Sequence, residues 1–221
     1  MILDHAAVTH PGRVRATNED AVGQYVPVRP DVLRKRGAIF AIADGVGGLA
    51  AGEVASGTAI RDVLNGYTSP TAPHAVEAAL TGAIQAANAR VHAVAGAGDI
   101  ETAGMQTTLS VLVLCGRQSY VAHAGDSRIY RLRDRTLTQL TADHSEAAEL
   151  VRLRLITPED AIHHPRRSVL TRSLGSTPRL RPDFARAPLE DGDRFLLCTD
   201  GLWGEVHDVD LAAAMALPSA Y

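Results

Sequence analysis

The stretch TTLSVLVLCGRQSYVAHAGDSRIYRL, residues 107–132, decides the fold class. It contains three runs rich in Val, Leu, Ile and Tyr, at residues 107–114, 119–124 and 128–132, separated by only a few residues. Short apolar and β-branched runs bounded by Gly and charged residues are typical of strands. The short breaks between these runs predict an antiparallel meander.

The sequence on either side alternates between strand and helix patterns. Further strands are predicted at residues 22–28, 38–43 and 194–199, and helices at 52–66, 73–94 and 145–155. A last helix is predicted to begin near Asp208 or Asp210, either of which could cap it. The fold class expected from this order is α+β: a four-layer α/β/β/α sandwich of two antiparallel sheets flanked by helices.

Composition limits the classes of function. The chain has 221 residues, of which 46% are hydrophobic and 4% aromatic, and its formal net charge is −3. This length predicts one domain over residues 1–221, and the charge favours neither nucleic-acid nor membrane binding. The N-terminus has no signal-peptide pattern, and no window is long and apolar enough for a membrane span, so we expect a cytoplasmic protein with two reduced cysteines.

Three predicted strands end in an aspartate: Asp44 in AIFAIADG, Asp126 in YVAHAGDS and Asp200 in RFLLCTDG. Taken singly, each is more simply a turn, since Asp-Gly is a strong hairpin signal. Taken together, carboxylates gathered at one sheet edge would repel each other unless a cation lay between them.

A fourth acidic element is RATNED at residues 15–20, which supplies Arg15, Glu19 and Asp20. Its simpler interpretation is a solvated charged turn. If it joins the three strand-end aspartates, the ligands are all hard oxygen donors, which select Mg²⁺ or Mn²⁺ over zinc.

Six motifs in order resemble the PPM family, the protein phosphatase 2C group, especially its small bacterial members. They are RATNED, ADGVGGLAAGEVAS, GMQTTLSVLVL, AHAGDSRIYRLRD, LTADHS and LLCTDGLW, spread over roughly residues 8–209. The resemblance implies a β-sandwich flanked by helices, with a pair of metal ions at one end.

The resemblance also implies roles for the acidic residues. Asp44 matches the carboxylate that bridges both metals, and Asp126 matches the acid of a third, weaker site. The metal ligands that the resemblance implies are Glu19, Asp20, Asp44, the Gly45 carbonyl, Asp126 and Asp200. The cofactors it implies are two Mn²⁺ or Mg²⁺ ions, with a third as an additional weak site.

The activity implied by the resemblance is hydrolysis of phosphoserine and phosphothreonine in proteins by a metal-activated water, opposing a bacterial serine/threonine kinase. Arg15 matches the residue that grips the substrate phosphate, so Arg15 and Asp44 are the expected catalytic residues. The alternative is a catalytically weak family member that acts as a phosphoprotein-binding regulatory module.

Two departures from the family pattern bear on that choice. Val46 stands where some members carry a histidine that protonates the leaving group, so the general acid is unassigned; His144, His163 and His164 are candidates by residue type and, more simply, flap or surface histidines. The segment 143–176 is expected to form a flap. The C-terminal Asp-Asn motif and last strand of the family have no match before Tyr221.

Overall fold

The computed structural model describes residues 2–13, 17–46 and 51–218. The strands are β1 (Asp20–Tyr25), β2 (Ala38–Val46), β3 (Gln106–Thr107), β4 (Leu109–Cys115), β5 (Gln118–Ala124), β6 (Arg128–Arg133), β7 (Thr136–Gln139), β8 (Asp183–Pro188) and β9 (Arg194–Cys198). The helices are α1 (Pro30–Arg36), α2 (Ala51–Thr68), α3 (Val76–Ala95), α4 (Glu146–Arg152), α5 (Pro158–Ile162), α6 (Asp200–Trp203) and α7 (Asp208–Ala216).

The strands form two sheets in which every pairing is antiparallel. The first sheet has the order β1-β2-β4-β5-β8, with β3 paired to the end of β2, and the second has the order β7-β6-β9. The meander prediction is therefore only partly right, because β6 leaves β5 and enters the second sheet. Strand β6 carries apolar side chains on both faces, so both faces must be covered. Ile129 packs between the sheets, whereas Tyr130 packs toward the outer helices.

Three apolar clusters define four layers. Side chains of α2 and α3, among them Val63 and Leu80, cover the outer face of the first sheet. Leu112 and Val121 of the first sheet meet Ile129 of the second between the sheets. Helix α7 covers the other face of the second sheet through Leu211, which packs with Tyr130, Cys198 and Trp203. The predicted α/β/β/α sandwich is confirmed.

Most element boundaries differ from the prediction by a few residues. Helix α3 buries one apolar face but begins at Val76 after Ala75, so Pro73, the first residue of the predicted helix, lies outside it. Strand β1 begins two residues earlier than predicted and therefore includes Asp20. Helix α7 begins at Asp208 behind His207, so neither predicted acid is its N-cap. Helices α1, α5 and α6 and strands β7 and β8 have no counterpart in the prediction.

The expected flap segment contains the two short helices α4 and α5. Ser145 caps α4 by accepting a hydrogen bond from the Ala148 N–H, and Thr157 forms a capping box with Asp160 at the start of α5. The chain that follows is tied to α3, since the Asn88 side chain binds both Gly175 N–H and Thr177 O. Within the described ranges, no helix has the length and apolar character that a membrane crossing requires.

Candidate metal centre

Asp44 lies inside strand β2 and not in a turn, so the simple hairpin interpretation of its Asp-Gly pair is wrong. Its backbone is held by two threonines of the GMQTT motif. The Asp44 N–H donates to Thr108 Oγ1 at 2.8 Å, and the Asp44 carbonyl accepts from Thr107 Oγ1 at 2.9 Å and from Thr108 N–H at 2.9 Å. The Asp44 carboxylate therefore rests on a backbone that is fixed on both sides.

Asp20 is the direct cross-strand partner of Asp44 in the β1–β2 pairing. Directly opposed residues of an antiparallel pair project from the same face, and like charges in such pairs are destabilising. Two aspartates at this register position therefore bring two negative charges together at the end of the first sheet. A bound cation would relieve their repulsion.

Glu19 lies beside the Asp44–Gly45 segment and the first described turn of α2. Its carbonyl accepts from the Gly45 N–H at 3.0 Å and from Ser56 Oγ at 2.6 Å. Its carboxylate approaches Gly52 so closely that a Cβ at Gly52 would lie 2.5 Å from Glu19 Oε1. A Cβ at Gly45 would lie 2.0 Å from the Gly52 carbonyl oxygen, so this close approach of β2 and α2 requires glycine.

Asp200 is the first residue of helix α6, which directly follows β9 of the second sheet. Its neighbour Thr199 donates from Oγ1 to Asp20 Oδ2 at 2.8 Å. This hydrogen bond joins the end of the second sheet to the start of the first. The Asp-Gly pair here opens a helix, so the turn interpretation is wrong for Asp200 as well.

Asp126 lies in the turn that carries the chain from β5 to β6, and only 6% of its surface is exposed. Burial, together with the charges of Asp200 and Asp143, raises the pKa of Asp126 to about 7. Arg128 acts in the opposite direction, but its guanidinium donates to both carboxylate oxygens of Asp143, from Nε to Oδ1 at 3.1 Å and from Nη2 to Oδ2 at 2.7 Å. A divalent cation near Asp126 would favour its charged form.

The structure brings the predicted acids together in a chain of neighbours, not as one closed cage. Asp20 faces Asp44, Thr199 ties Asp20 to the segment of Asp200, and the Asp200 charge acts on Asp126. Among residues 2–13, 17–46 and 51–218, no three His, Cys, Asp or Glu side chains form a group that could hold a metal ion as they stand. The donor set fits a hard divalent cation, since it consists of carboxylate and carbonyl oxygens. Arg15 lies outside the described residues.

The family model described as "Protein phosphatase 2C" matches residues 14–217. The chain belongs to the protein phosphatase 2C family. The family and the fold that the six motifs suggested are therefore confirmed.

Several relatives are named protein phosphatases. The chain is 38% identical over 220 residues to the serine/threonine protein phosphatase PstP of Mycobacterium tuberculosis, covering 99% of this chain and 40% of that protein. It is 36% identical over 206 residues to the serine/threonine phosphatase stp of Listeria welshimeri, covering 92% of this chain and 79% of that protein. The chain thus spans less than half of PstP. These names give no support to the alternative of a catalytically weak, phosphoprotein-binding regulatory module.

A solved structure agrees with these relatives. The catalytic domain of PstP, solved in complex with two manganese ions, superposes with a TM-score of 0.81 at 35% identity. The alignment covers 96% of this chain and 84% of that one. At this identity and coverage, the likeness extends over the whole sandwich.

The three candidate histidines occupy different environments in this phosphatase fold. His163 and His164 follow α5 within residues 143–176, the expected flap, and His163 is exposed. His144 is buried, with 5% exposure, so its interpretation as a surface histidine is wrong. Its Nδ1 accepts from the Gly125 N–H at 3.1 Å and its Nε2 lies 3.0 Å from Asp183 Oδ2. With both ring nitrogens engaged by the protein, His144 is poorly suited to be the general acid.

Both cysteines of the sequence are free thiols. Cys198 is buried in β9, and burial raises its pKa to about 12. Burial also raises the pKa of Cys115, which is half-buried at the end of β4. Because the thiolate is the nucleophilic form, neither residue resembles an activated catalytic cysteine.

Sequence analysis missed the polar residues that hold the acids in place. Thr108 and Ser127 join their hydroxyl groups at 2.7 Å, and thereby connect the backbone of Asp44 to the turn of Asp126. Thr199 performs a comparable role between Asp20 and Asp200. These residues lie inside or beside the quoted motifs, but residue type alone does not distinguish them from ordinary strand threonines and serines.

Proposed function

We propose that this domain hydrolyses phosphoserine and phosphothreonine in proteins, using two Mn²⁺ or Mg²⁺ ions held by its clustered carboxylates. The observation that carries the proposal is a chain of acidic neighbours that links the two sheets: Asp20 faces Asp44, Thr199 ties Asp20 to the segment of Asp200, and the charge of Asp200 acts on Asp126. The names of the relatives and the two manganese ions in the PstP complex support the same chemistry.

The proposed ligands divide between the two sheets. From the first sheet, Asp20 and Asp44 face each other, and Glu19 and the Gly45 carbonyl lie beside them. From the connections to the second sheet come Asp200 and, for a third and weaker site, Asp126. When bound, the cations would activate a water molecule for attack on phosphorus and neutralise charge on the phosphate.

The chain's own residues would prepare the site for this reaction. Thr107 and Thr108 fix the backbone of Asp44, so that its carboxylate keeps one position through the reaction. Arg15 is proposed to bind two phosphate oxygens, for which a planar guanidinium is well shaped. Neither thiol is required, because the proposed nucleophile is water.

The biological setting belongs to the same proposal. The substrates would be phosphorylated proteins, and a serine/threonine kinase would supply them. The cytoplasm is the expected compartment. The formal net charge of −3 agrees with a protein substrate better than with a nucleic acid.

Phosphate release from a phosphothreonine peptide, measured with and without Mn²⁺, tests the proposal directly. We expect release that requires the metal and is abolished by a chelator. A phosphotyrosine peptide of the same sequence is the matched control and is expected to be a poor substrate. Metal-independent release, or equal release from both peptides, would contradict the proposed function.

A further inference from the structure

The turn that carries Asp126 is held by one residue, His144, through its backbone and its ring. The His144 backbone N–H donates to the Gly125 carbonyl at 2.7 Å, and the Gly125 N–H donates to Nδ1 of the His144 ring at 3.1 Å. Gly125 has a φ of +114°, and a Cβ there would lie 2.6 Å from the Thr108 side chain. Both backbone polar groups of the residue before Asp126 are thus satisfied by His144, in a conformation that glycine alone adopts easily.

This contact determines which ring nitrogen of His144 carries the proton. Nδ1 accepts from the Gly125 N–H, so in the neutral ring the proton is on Nε2. Nε2 can then donate to Asp183 Oδ2, 3.0 Å away. Asp183 is held in turn by Arg172, and the His144 ring stacks on His123 with centroids 4.8 Å apart. The carboxylate on one side and the backbone amide on the other select the same tautomer.

We propose that His144 is a positioning residue for Asp126: as the Nε2–H tautomer oriented by Asp183, it holds the Gly125 amide and so fixes the turn that presents the Asp126 carboxylate. The inference rests on the proposed place of Asp126 in the metal site. It assigns His144 no contact with substrate, since both ring nitrogens are already engaged. Residues that orient ligands in this indirect way typically change metal affinity by roughly 10- to 100-fold when they are replaced.

The same contacts connect the turn to the flap segment. Arg172 lies in the chain that leaves the flap, and Asp183 begins strand β8, the edge strand of the first sheet. The Asp183 carboxylate therefore accepts from Arg172 at Oδ1 and contacts His144 Nε2 at Oδ2. Through this carboxylate, the position of the flap's exit is tied to the orientation of the ring that holds Gly125.

The His144 ring makes two contacts, with the Gly125 N–H and with Asp183, and two conservative substitutions each keep only one of them. In His144→Asn, the side-chain oxygen can occupy the place of Nδ1 and accept from the Gly125 N–H, but it does not reach Asp183. In His144→Gln, the amide can reach Asp183 but leaves the Gly125 N–H without its acceptor. His144→Ala removes both contacts. His163→Ala, in the exposed flap, is the matched control.

Mn²⁺ titration by calorimetry and the Mn²⁺ concentration for half-maximal phosphatase activity are the first readouts. We expect His144→Ala and His144→Gln to weaken the Asp126-dependent binding by about tenfold or more. His144→Asn is expected to stay within about threefold of the wild type, and His163→Ala to be unchanged. The proposal is wrong if His144→Gln binds Mn²⁺ like the wild type and His144→Asn does not. It is also wrong if both variants, or neither, bind Mn²⁺ like the wild type.

Two further measurements need neither activity nor metal. The ¹⁵N spectrum of the His144 ring in the metal-free protein should show a non-protonated Nδ1. Amide exchange at Gly125 should be faster in the Gln and Ala variants than in the Asn variant and the wild type. A proton on Nδ1 of the wild-type ring would overturn the proposal even if no variant folded well enough for the titrations. Equal exchange at Gly125 in the wild type and in all folded variants would overturn it as well.

Asp126→Asn distinguishes this inference from the function on which it rests. If that substitution leaves Mn²⁺ binding and activity unchanged, Asp126 is not part of the metal site. The ring spectrum and the Gly125 exchange would then still decide whether His144 fixes the turn. If Asp126→Asn weakens binding while His144→Gln does not, the metal assignment stands and the positioning role of His144 is wrong.

Discussion

Asp44 and Asp126 lie in two regions that hold a carboxylate by different means. Asp44 belongs to a central strand, and its register against Asp20 follows from the regular β1–β2 ladder. Asp126 lies in a three-residue connection between the two sheets. Side chains hold this connection in place: Thr108 bonds to Ser127, and the His144 ring accepts from the Gly125 N–H. Asp44 is held both by the ladder to β1 and by Thr107 and Thr108, whereas the turn of Asp126 depends on a few specific partners. Substitutions should therefore affect the two regions unequally.

The largest expected effect is at Asp44 in strand β2 and at Asp200, which opens helix α6. We expect Asp44→Asn and Asp200→Asn each to abolish measurable hydrolysis while the metal-free protein stays folded, since removing one of several clustered negative charges lowers their repulsion. Peptide-phosphatase assays at saturating Mn²⁺ and thermal melts would check both expectations. Cys115→Ser and Cys198→Ser serve as controls and should remain active wherever they fold. Near-normal turnover of the Asp44→Asn protein would show that Asp44 is not a metal ligand.

A smaller effect is expected from Arg15→Ala, which alters the segment leading into β1. The loss of a charged hydrogen-bond partner to phosphate is worth roughly 1.5–3 kcal/mol. This corresponds to a fall in kcat/KM of about one to two decades, mainly through KM. Steady-state kinetics on a phosphothreonine peptide, with Mn²⁺ affinity measured in parallel, would test the effect. An unchanged kcat/KM would remove Arg15 from the substrate site.

The turn region should be sensitive to acid through His123, which is 1% exposed and lies 2.9 Å from Ser110 Oγ. Burial and the neighbouring His144 lower the pKa of His123 to about 4. Because the unfolded chain then binds more protons between about pH 6.5 and 4, stability is full above this range and falls as the pH drops through it. The expected loss from this residue is roughly 3 kcal/mol.

Denaturant unfolding of the wild type and of His123→Gln between pH 4 and 7.5 would measure that loss. The variant should show a flatter pH dependence, since glutamine does not titrate. His163→Gln, in the exposed flap, should retain the wild-type slope. Equal slopes in all three proteins would show that His123 titrates normally in the folded state.

The smallest effect is expected at the hydroxyl bridge that joins the two regions. Thr108→Val preserves shape but removes the acceptor of the Asp44 N–H and the partner of Ser127. We expect a loss of about 1–3 kcal/mol in the free energy of unfolding. The exposed Thr138→Val in β7 should change it by less than about 0.5 kcal/mol. Equal stability of the two variants would show that the Thr108 hydroxyl does not stabilise the link between Asp44 in β2 and the turn of Asp126.

The sequence predicted the strands that lead to Asp44 and Asp200, but it did not predict which residues hold the turn of Asp126. The apolar run before Asp44 identified β2, and the run before Asp200 identified β9, because alternation and β-branched composition are local properties. The same reasoning placed β6 in the wrong sheet. Whether a strand continues a meander or crosses to a second sheet depends on what covers its two faces, and a residue-by-residue pattern does not contain that information.

The sequence by itself determined the family and the four-layer architecture, and it supplied the acidic residues that we propose as metal ligands, since these depend on motifs and periodicity along the chain. Only the tertiary structure decided which groups hold those acids. Thr108, Ser127, Thr199 and His144 are ordinary residue types that reach the site from distant positions, and Asp183 meets His144 across 39 residues. Their roles follow from hydrogen-bond distances in the folded chain, which composition and spacing do not specify.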